Sequence, residues 1–438
     1  MCAYAGDTVR YTLSDCHEMA LSRGASSQSM EEARLAAEYN RKAALAAMFP
    51  RVSANGGYMW NSRDAHLLAN ETQFSFGTAA VAPDGTATFA WSEQSKLGEL
   101  ANTVAGTPLE QPIYTGGRLT QLYRIAKASE NIATIEADAK HDEVIYKVDE
   151  AYWRVVAVGQ KKKLAEQYYR LLCQLENDVR EAVNEGVATQ SDLLKVTAKR
   201  GEAEVKKLQA ENGLTLSRMA LAQVCGLPLS DPFTVDDAGL EDIPLAIDYF
   251  DASGYVEGRS ELQMMQEAEK IAKSSAKLAA AGLQPNIVAS ANYIYSNPNV
   301  ENGISTGWDG NGFFNAGVVL NVPIAHADDI LRYKAAKHAA NVASLKTEET
   351  RQLLTLQTTQ ANQKLMEAQQ KVAMSRLNTT NAGEVLRMAR ESFDAGMITA
   401  SELMQAQTAW LAAASDLVDA ETEAKTLETQ LRKYLGEL

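Results

Sequence analysis

The sequence predicts a mixed but mainly helical chain, with two long-helix coiled-coil hairpins and two β-hairpins. Three observations predict it. A segment near the middle of the chain recurs at its C-terminus, a long proline-free helical run precedes each copy, and Tyr-bearing extended runs stand at matching places in the two halves.

The repeat is the organising feature. Residues 185–226 begin EGVATQSDLLKV and residues 395–436 begin AGMITASELMQA. A shift of 210 lays Gly186 on Gly396, Thr189 on Thr399, Asp192 on Glu402, Leu193 on Leu403 and Gly226 on Gly436 without a gap. Gly186 and Gly396 suit the left-handed position that closes a preceding helix. Thr189-x-x-Asp192 and Thr399-x-x-Glu402 read as capping boxes that open the next helix, the second being the better example. From Leu403 the apolar positions advance in alternating steps of three and four through Ala406, Trp410, Ala413, Leu417, Ala420, Ala424, Leu427, Leu431 and Tyr434, a coiled-coil seam. The first copy keeps that register through Leu193, Val196, Ala203, Ala210, Leu214, Leu221 and Val224, interrupted by Arg200 and Lys207.

Taken in order, residues 6–12 read as extended. Ser14 is placed to cap a helix that runs to about Met48 and stops at Pro50. A β-hairpin is expected over 52–113, its first strand over 52–63 carrying Tyr58 and Trp60 on one face and its second over 102–113. The polar loop between them holds short extended pieces near 72–76 and 86–91. A helix then runs over 117–184 with Gly159 its only internal glycine. At 1.5 Å per residue it spans about 100 Å, and a helix of that length needs a neighbour along it. The tip at 185–192 and a helix over 193–225 close the first repeat, 1–226. Residues 227–258, with Pro228, Pro232 and Pro244, read as a linker with short elements. The second repeat, 259–438, has a helix to Ala281, a hairpin over 287–324 with Tyr293 and Tyr295 on its first strand, a long helix over 328–394, a tip at 395–402 and a helix over 403–435. Pro50 and Tyr58 match Pro285 and Tyr293, and Pro112-Ile113 matches Pro323-Ile324, so the length difference between the halves falls inside the first hairpin loop.

Composition narrows the function. The net charge of −14 over 438 residues opposes nucleic acid as a partner. The four cysteines, at 2, 16, 173 and 225, show neither CxxC nor metal spacing. Cys173 and Cys225 fall on opposite ends of antiparallel arms, too far apart for a bond between them. The histidines are scattered and no nucleophile–base pair stands out, so the reading carries no catalytic residue, no metal ligand and no cofactor. No run of apolar residues is long enough for a transmembrane helix. Ala3-Tyr4-Ala5 has the form of a signal-peptide cleavage site, which suggests a precursor whose apolar segment is missing here. The predicted strands have the length of transmembrane β-strands. Four strands cannot close a barrel, and open edges are not tolerated in lipid, so strands that span would have to be pooled by several copies. Tyr58, Trp60, Tyr293 and Tyr295 then suit the membrane interface. Two surface hairpins on a soluble protein remain the alternative.

A resemblance adds to this. Phe49-Pro50 before a Tyr-bearing strand, QPIYTGGRL at 111–119, and the tips EGVATQSDL and AGMITASEL resemble, in order and spacing over the whole chain, the TolC family of outer-membrane efflux proteins. The resemblance implies a homotrimer whose α-barrel continues into a shared twelve-stranded transmembrane β-barrel, in the outer membrane with a long periplasmic extension. Residues 227–258 would belong to an equatorial belt. The tips would meet a periplasmic adaptor docked on an inner-membrane pump, and the channel would conduct cargo passively. By the same resemblance Asp192, Glu402 and Phe393 are periplasmic-gate candidates. Their plainer roles are to complete the capping boxes and, for Phe393, to pack between helices. Gly186, Val187, Ala188, Thr189, Gly396, Met397, Ile398 and Thr399 are adaptor-contact candidates, or pack tip against tip. The chain departs from the family at Ile398 and Gln405, where some relatives carry a basic residue and an acid, and at AHADDI (325–330), which replaces the Gly-Gly-Arg pattern of 116–118. A soluble periplasmic coiled-coil scaffold or adaptor is the competing function.

Overall fold

The computed structural model describes residues 9–23, 25–59, 65–66, 74–75, 88–89, 96–97, 102–242, 251–297, 299–301, 304–307, 311–324 and 327–438. Its elements are β1 (Val9–Tyr11), α1 (Leu13–Arg23), α2 (Ala25–Ala46), β2 (Arg51–Val52), β3 (Asn55–Met59), β4 (Ala65–His66), β5 (Phe74–Ser75), β6 (Thr88–Phe89), β7 (Lys96–Leu97), β8 (Asn102–Tyr114), α3 (Arg118–Asn184), α4 (Gln190–Cys225), β9 (Phe233–Val235), α5 (Ser253–Val256), α6 (Ser260–Ala281), β10 (Asn286–Asn297), β11 (Asn299–Glu301), β12 (Ile304–Gly307), β13 (Asn311–Asn321), α7 (Ala327–Asp394) and α8 (Ala400–Leu435). They fall into two units. One holds residues 1–37, 128–269 and 342–438, the other 38–127 and 270–341.

Local chemistry sets several boundaries away from the expected ones. Thr12, not Ser14, opens α1. Its N–H donates to Asp15 Oδ2 at 2.9 Å and its hydroxyl accepts from the Asp15 N–H at 3.3 Å, a reciprocal box one turn long. The single helix expected from Ser14 to Met48 is two, α1 and α2, with residue 24 outside the described set. The strand expected to reach Ile324 stops at Asn321, ahead of Pro323, which has no N–H for a ladder.

In the second unit the main sheet runs β13-β10-β8, with β2 and β3 side by side along the outer edge of β8. Every pairing in it is antiparallel. β10 pairs with β13 from Asn286↔Asn321 to Ser296↔Asn311, and with β8 from Ile287↔Tyr114 to Asn297↔Thr103. Two prolines in β8 explain its irregularities. The strand expected over 52–63 is split: Val52 pairs with Leu109 and Asn55 with Gly106, leaving a break opposite Pro108. Beside Pro112, which pairs with Val288, the β10–β8 register shifts by a residue. Apolar side chains stand exposed on both faces of β13, with Phe314, Val318 and Leu320 on one and Phe313 and Val319 on the other. Short ladders, β4–β7, β5–β6 and β11–β12, lie within the two connections.

The turn from β8 into α3 requires glycine at one place. Gly116 has φ +61°, and a Cβ there would sit 2.5 Å from Gln284 Cβ and 2.8 Å from the Ala281 carbonyl oxygen. Gly117 also has positive φ but meets nothing within 4 Å.

The first unit is held by narrow apolar seams. One cluster gathers Cys16, Ala20, Val148, Tyr152, Trp153, Leu221, Cys225 and Phe233. It is fastened by the parallel pair Val9↔Phe233 to Tyr11↔Val235 and by the Tyr152 hydroxyl, which donates to the Asp236 carbonyl at 2.6 Å. Ala368, Val372, Ala420 and Ala424 form another, in which α7 meets α8 through small side chains. Polar groups cross the seams in pairs. Thr429 Oγ1 donates to Asp149 Oδ2 and His17 Nε2 contacts Asp149 Oδ1, each at 2.5 Å. Arg376 donates to Glu421 Oε1 at 2.9 Å and to the Glu241 carbonyl at 2.6 Å.

Gly116→Ala is expected to lower the thermal midpoint of the detergent-purified protein clearly more than Gly117→Ala. The second change carries only the left-handed strain of about 1–2 kcal/mol, whereas the first also overlaps its neighbours. Equal midpoints for the two variants would refute the role given to Gly116.

Candidate functional site

The two tips share one backbone plan. At the first, Gly186 (φ +79°) ends the helix, with its N–H donating to Val183 O and that of Val187 to Ala182 O. At the second, Gly396 (φ +71°) does the same, with its N–H on Phe393 O and that of Met397 on Ser392 O. This double closure satisfies the last carbonyls of α3 and α7. Three residues after each glycine, Thr189 and Thr399, both extended, cap α4 and α8 by accepting from the N–H of Asp192 and Glu402.

The caps differ in their second half. Glu402 Oε2 accepts from the Thr399 N–H at 2.7 Å, completing the box. Asp192 instead accepts from the Thr189 hydroxyl at 2.6 Å and from Lys195 Nζ at 3.2 Å. Both carboxyls are held below their ordinary ranges, Glu402 by the backbone and then the hydroxyl of Thr399, Asp192 by the Thr189 hydroxyl and then Lys195.

Between glycine and threonine the side chains divide. Val187 and Met397 point outward, 78% and 73% exposed. Ala188 and Ile398 turn inward onto a cluster built on Leu172, Leu175, Val179, Val196, Ala203 and Leu403. Phe393 packs against that same cluster. Each tip therefore presents one bare apolar side chain beside one ionised carboxylate. Of the aromatic residues singled out, Tyr293 and Tyr295 are exposed on one face of β10. A Cβ at Gly312 would overlap the Tyr293 ring. The backbone of Tyr58 pairs with Thr103. Trp60 lies outside the described residues.

Sequence reasoning missed the polar bolts beneath the tips. Arg200 and Lys207, which interrupt the α4 seam, both face α3. Arg200 Nε lies 2.7 Å from Glu176 Oε2, which is nearly buried and also faces Arg180, and Lys207 Nζ stands over the Tyr169 ring at 5.5 Å. Arg390 of α7 donates to Asp178 of α3 at 2.8 Å. The available signal was a cation inside an apolar seam with a carboxylate on the facing arm. Among the described residues no helix is long and apolar enough to cross a membrane, and no group of three or more His, Cys, Asp and Glu is arranged to hold a metal.

A depressed carboxyl contributes stability that is present above its unfolded value and is lost as pH falls through its lower folded value. Amide protection at residues 400–403, corrected for intrinsic exchange, is therefore expected to hold at neutral pH and fall below pH 4.5, the unperturbed value for Glu402. Thr399→Ala is expected to speed local exchange there roughly fivefold at neutral pH. Protection unchanged in both experiments would show that the cap does not hold the tip.

No curated protein sequence matches. Among solved structures, CusC aligns with a TM-score of 0.78 at 15% identity, covering 99% of this chain and 94% of that one. VceC from Vibrio cholerae aligns with a TM-score of 0.76 at 15% identity, covering 97% and 96%. The Campylobacter jejuni CmeC outer membrane channel aligns with a TM-score of 0.77 at 14% identity, covering 97% and 85%. At identities this low the structural likeness shows the fold alone. The family model described as outer membrane efflux protein matches residues 17–227 and 255–437, and the chain belongs to that family.

Proposed function

We propose that the chain is the outer-membrane duct of a tripartite efflux or type I secretion system, acting as a homotrimer that conducts cargo passively while an inner-membrane pump supplies the energy. The observation that carries the assembly is a set of bare apolar stripes on the helices. Leu194, Val205 and Leu216 of α4 are exposed and stand eleven residues apart. On α7 the same interval separates Val342 from Leu353, Leu345 from Leu356, Met374 from Val385, and Leu377 from Met388, all exposed. Eleven residues make three turns at about 3.67 residues each, close to the natural pitch of a straight helix. Such a stripe runs nearly parallel to the helix axis and suits a straight neighbour along its length. Left in water, stripes of this length are unfavourable, and a second copy of the same chain covers them.

The sheet supports the same reading. With its outer strands β13 and β2/β3 each paired on one side among the described strands, it ends in open edges, which a shared barrel removes. Three chains give twelve strands. In that trimer Val187 and Met397 are the apolar points offered to a periplasmic adaptor. Asp192 and Glu402, kept ionised, would supply rings of negative charge at the entrance that favour cations.

The oligomer is tested by light scattering on detergent-purified protein. The wild type is expected at about three times the 47.6 kDa chain mass, and Leu353→Asp with Leu356→Asp at the mass of one chain. A wild-type monomer that needs no detergent would contradict the proposal and favour the soluble scaffold. In planar bilayers, Asp192→Asn with Glu402→Gln is expected to reduce cation over anion permeability. An unchanged ratio would remove the carboxylates from the entrance.

A further inference from the structure

We propose that Cys16 and Cys225 form an intramolecular disulfide in the exported protein, stapling α1 to the end of α4. Both are thiols in this structure, 1% and 0% exposed, within the cluster of Val148, Tyr152, Leu221 and Phe233. The Cys225 thiol donates to the Cys16 carbonyl oxygen, its Sγ 3.7 Å away, which sets the two residues side by side in the cluster. The helices meet at a second point as well. Beside Cys225, a Cβ on Gly226 would sit 3.1 Å from the carbonyl oxygen of Arg23, the last residue of α1.

The surroundings favour a structural bond over a reactive thiol. The neighbouring Cys225 thiol, together with burial, pushes the Cys16 thiol far above its ordinary range while Cys225 is drawn below its own, and with both side chains closed off from solvent neither is within reach of an outside reactant or metal once folded. Sequence position makes the bond effective. The two cysteines are 209 residues apart, and closing so long a loop removes much freedom from the unfolded chain. Without it, α1 is tied down by a three-residue strand pair, by His17 on Asp149 and by its apolar face.

The chemistry is thiol–disulfide exchange with an oxidant of the dithiol–disulfide class. One cysteine thiolate attacks the oxidant's disulfide to give a mixed disulfide. The second cysteine displaces the oxidant as a dithiol. One S–S bond forms between Cys16 and Cys225, and their two electrons and two protons pass to the oxidant. Since the folded pair is sealed, exchange takes place during folding, before α1 packs. The inference rests on the outer-membrane reading, because exported chains meet an oxidising compartment and cytosolic ones do not.

The test is non-reducing peptide mapping of the full chain with its native export signal, denatured in N-ethylmaleimide at lysis, with membrane fractionation scored separately. The expected result is a linked peptide pair bearing Cys16 and Cys225, with maleimide on Cys173. Maleimide on both Cys16 and Cys225 in outer-membrane material, or a link from either to Cys173 or Cys2, overturns the disulfide and leaves the localisation standing. Free thiols in protein recovered from the soluble fraction overturn both. As a second readout, reductant is expected to lower the thermal midpoint of the wild type and to leave Cys16→Ala with Cys225→Ala unmoved. The same drop in both overturns the staple.

Discussion

A helix of 67 or 68 residues must be sheathed along its length, and that constraint governs the rest of this chain. Nothing in such a helix buries enough surface by itself to be stable in water. Within the first unit the sheath is made of small side chains, as where Ala368, Val372, Ala420 and Ala424 bring α7 and α8 together. Small residues permit close approach but bury little area each. Direction and register therefore fall to charged bolts across the seams, Arg200 on Glu176, Arg376 on Glu421 and Arg390 on Asp178. What the chain does not cover itself it leaves as exposed stripes at eleven-residue intervals, the faces along which the proposed trimer would close.

The tips follow from the same constraint. Two long helices joined by a short turn leave unpaired carbonyls at one end and unpaired N–H groups at the other. Here each tip settles both within a few residues. The glycine closes one helix, and the threonine opens the next. In that turn Val187 and Met397 serve through their backbone N–H groups alone, which is why an apolar side chain can stand bare there. Ala188 and Ile398, one place on, are half-buried and pack against the core.

What was legible in the sequence was what acts locally. Gly186, Thr189, Gly396 and Thr399 declare themselves because a left-handed turn and a cap are decided within four residues. The long helices are legible because proline is missing from them. Contacts between distant parts of the chain were not. Pro108 breaks a strand more than fifty positions earlier, so the split between β2 and β3 has no local sign. One local feature was also missed: Thr12 displaces Ser14 as a cap because Asp15 sits three residues after it and returns the bond. Arg200 and Lys207 read as flaws in a seam until Glu176 and Tyr169 stand opposite them. The same holds for Cys16 and Cys225, whose meeting depends on α1 folding back against α4. At identities of 14–15%, the fold is shared with its structural neighbours while most side chains are not. The seam asks only for small or apolar residues at the right spacing.

The account is tested most directly by single-particle imaging of the full chain purified in detergent. It predicts a hollow threefold tube with a detergent belt at one end, its helical wall built from neighbouring copies meeting along the Leu194–Leu216 and Val342–Met388 stripes. A compact single chain, stable without detergent and with those stripes open to water, would contradict it.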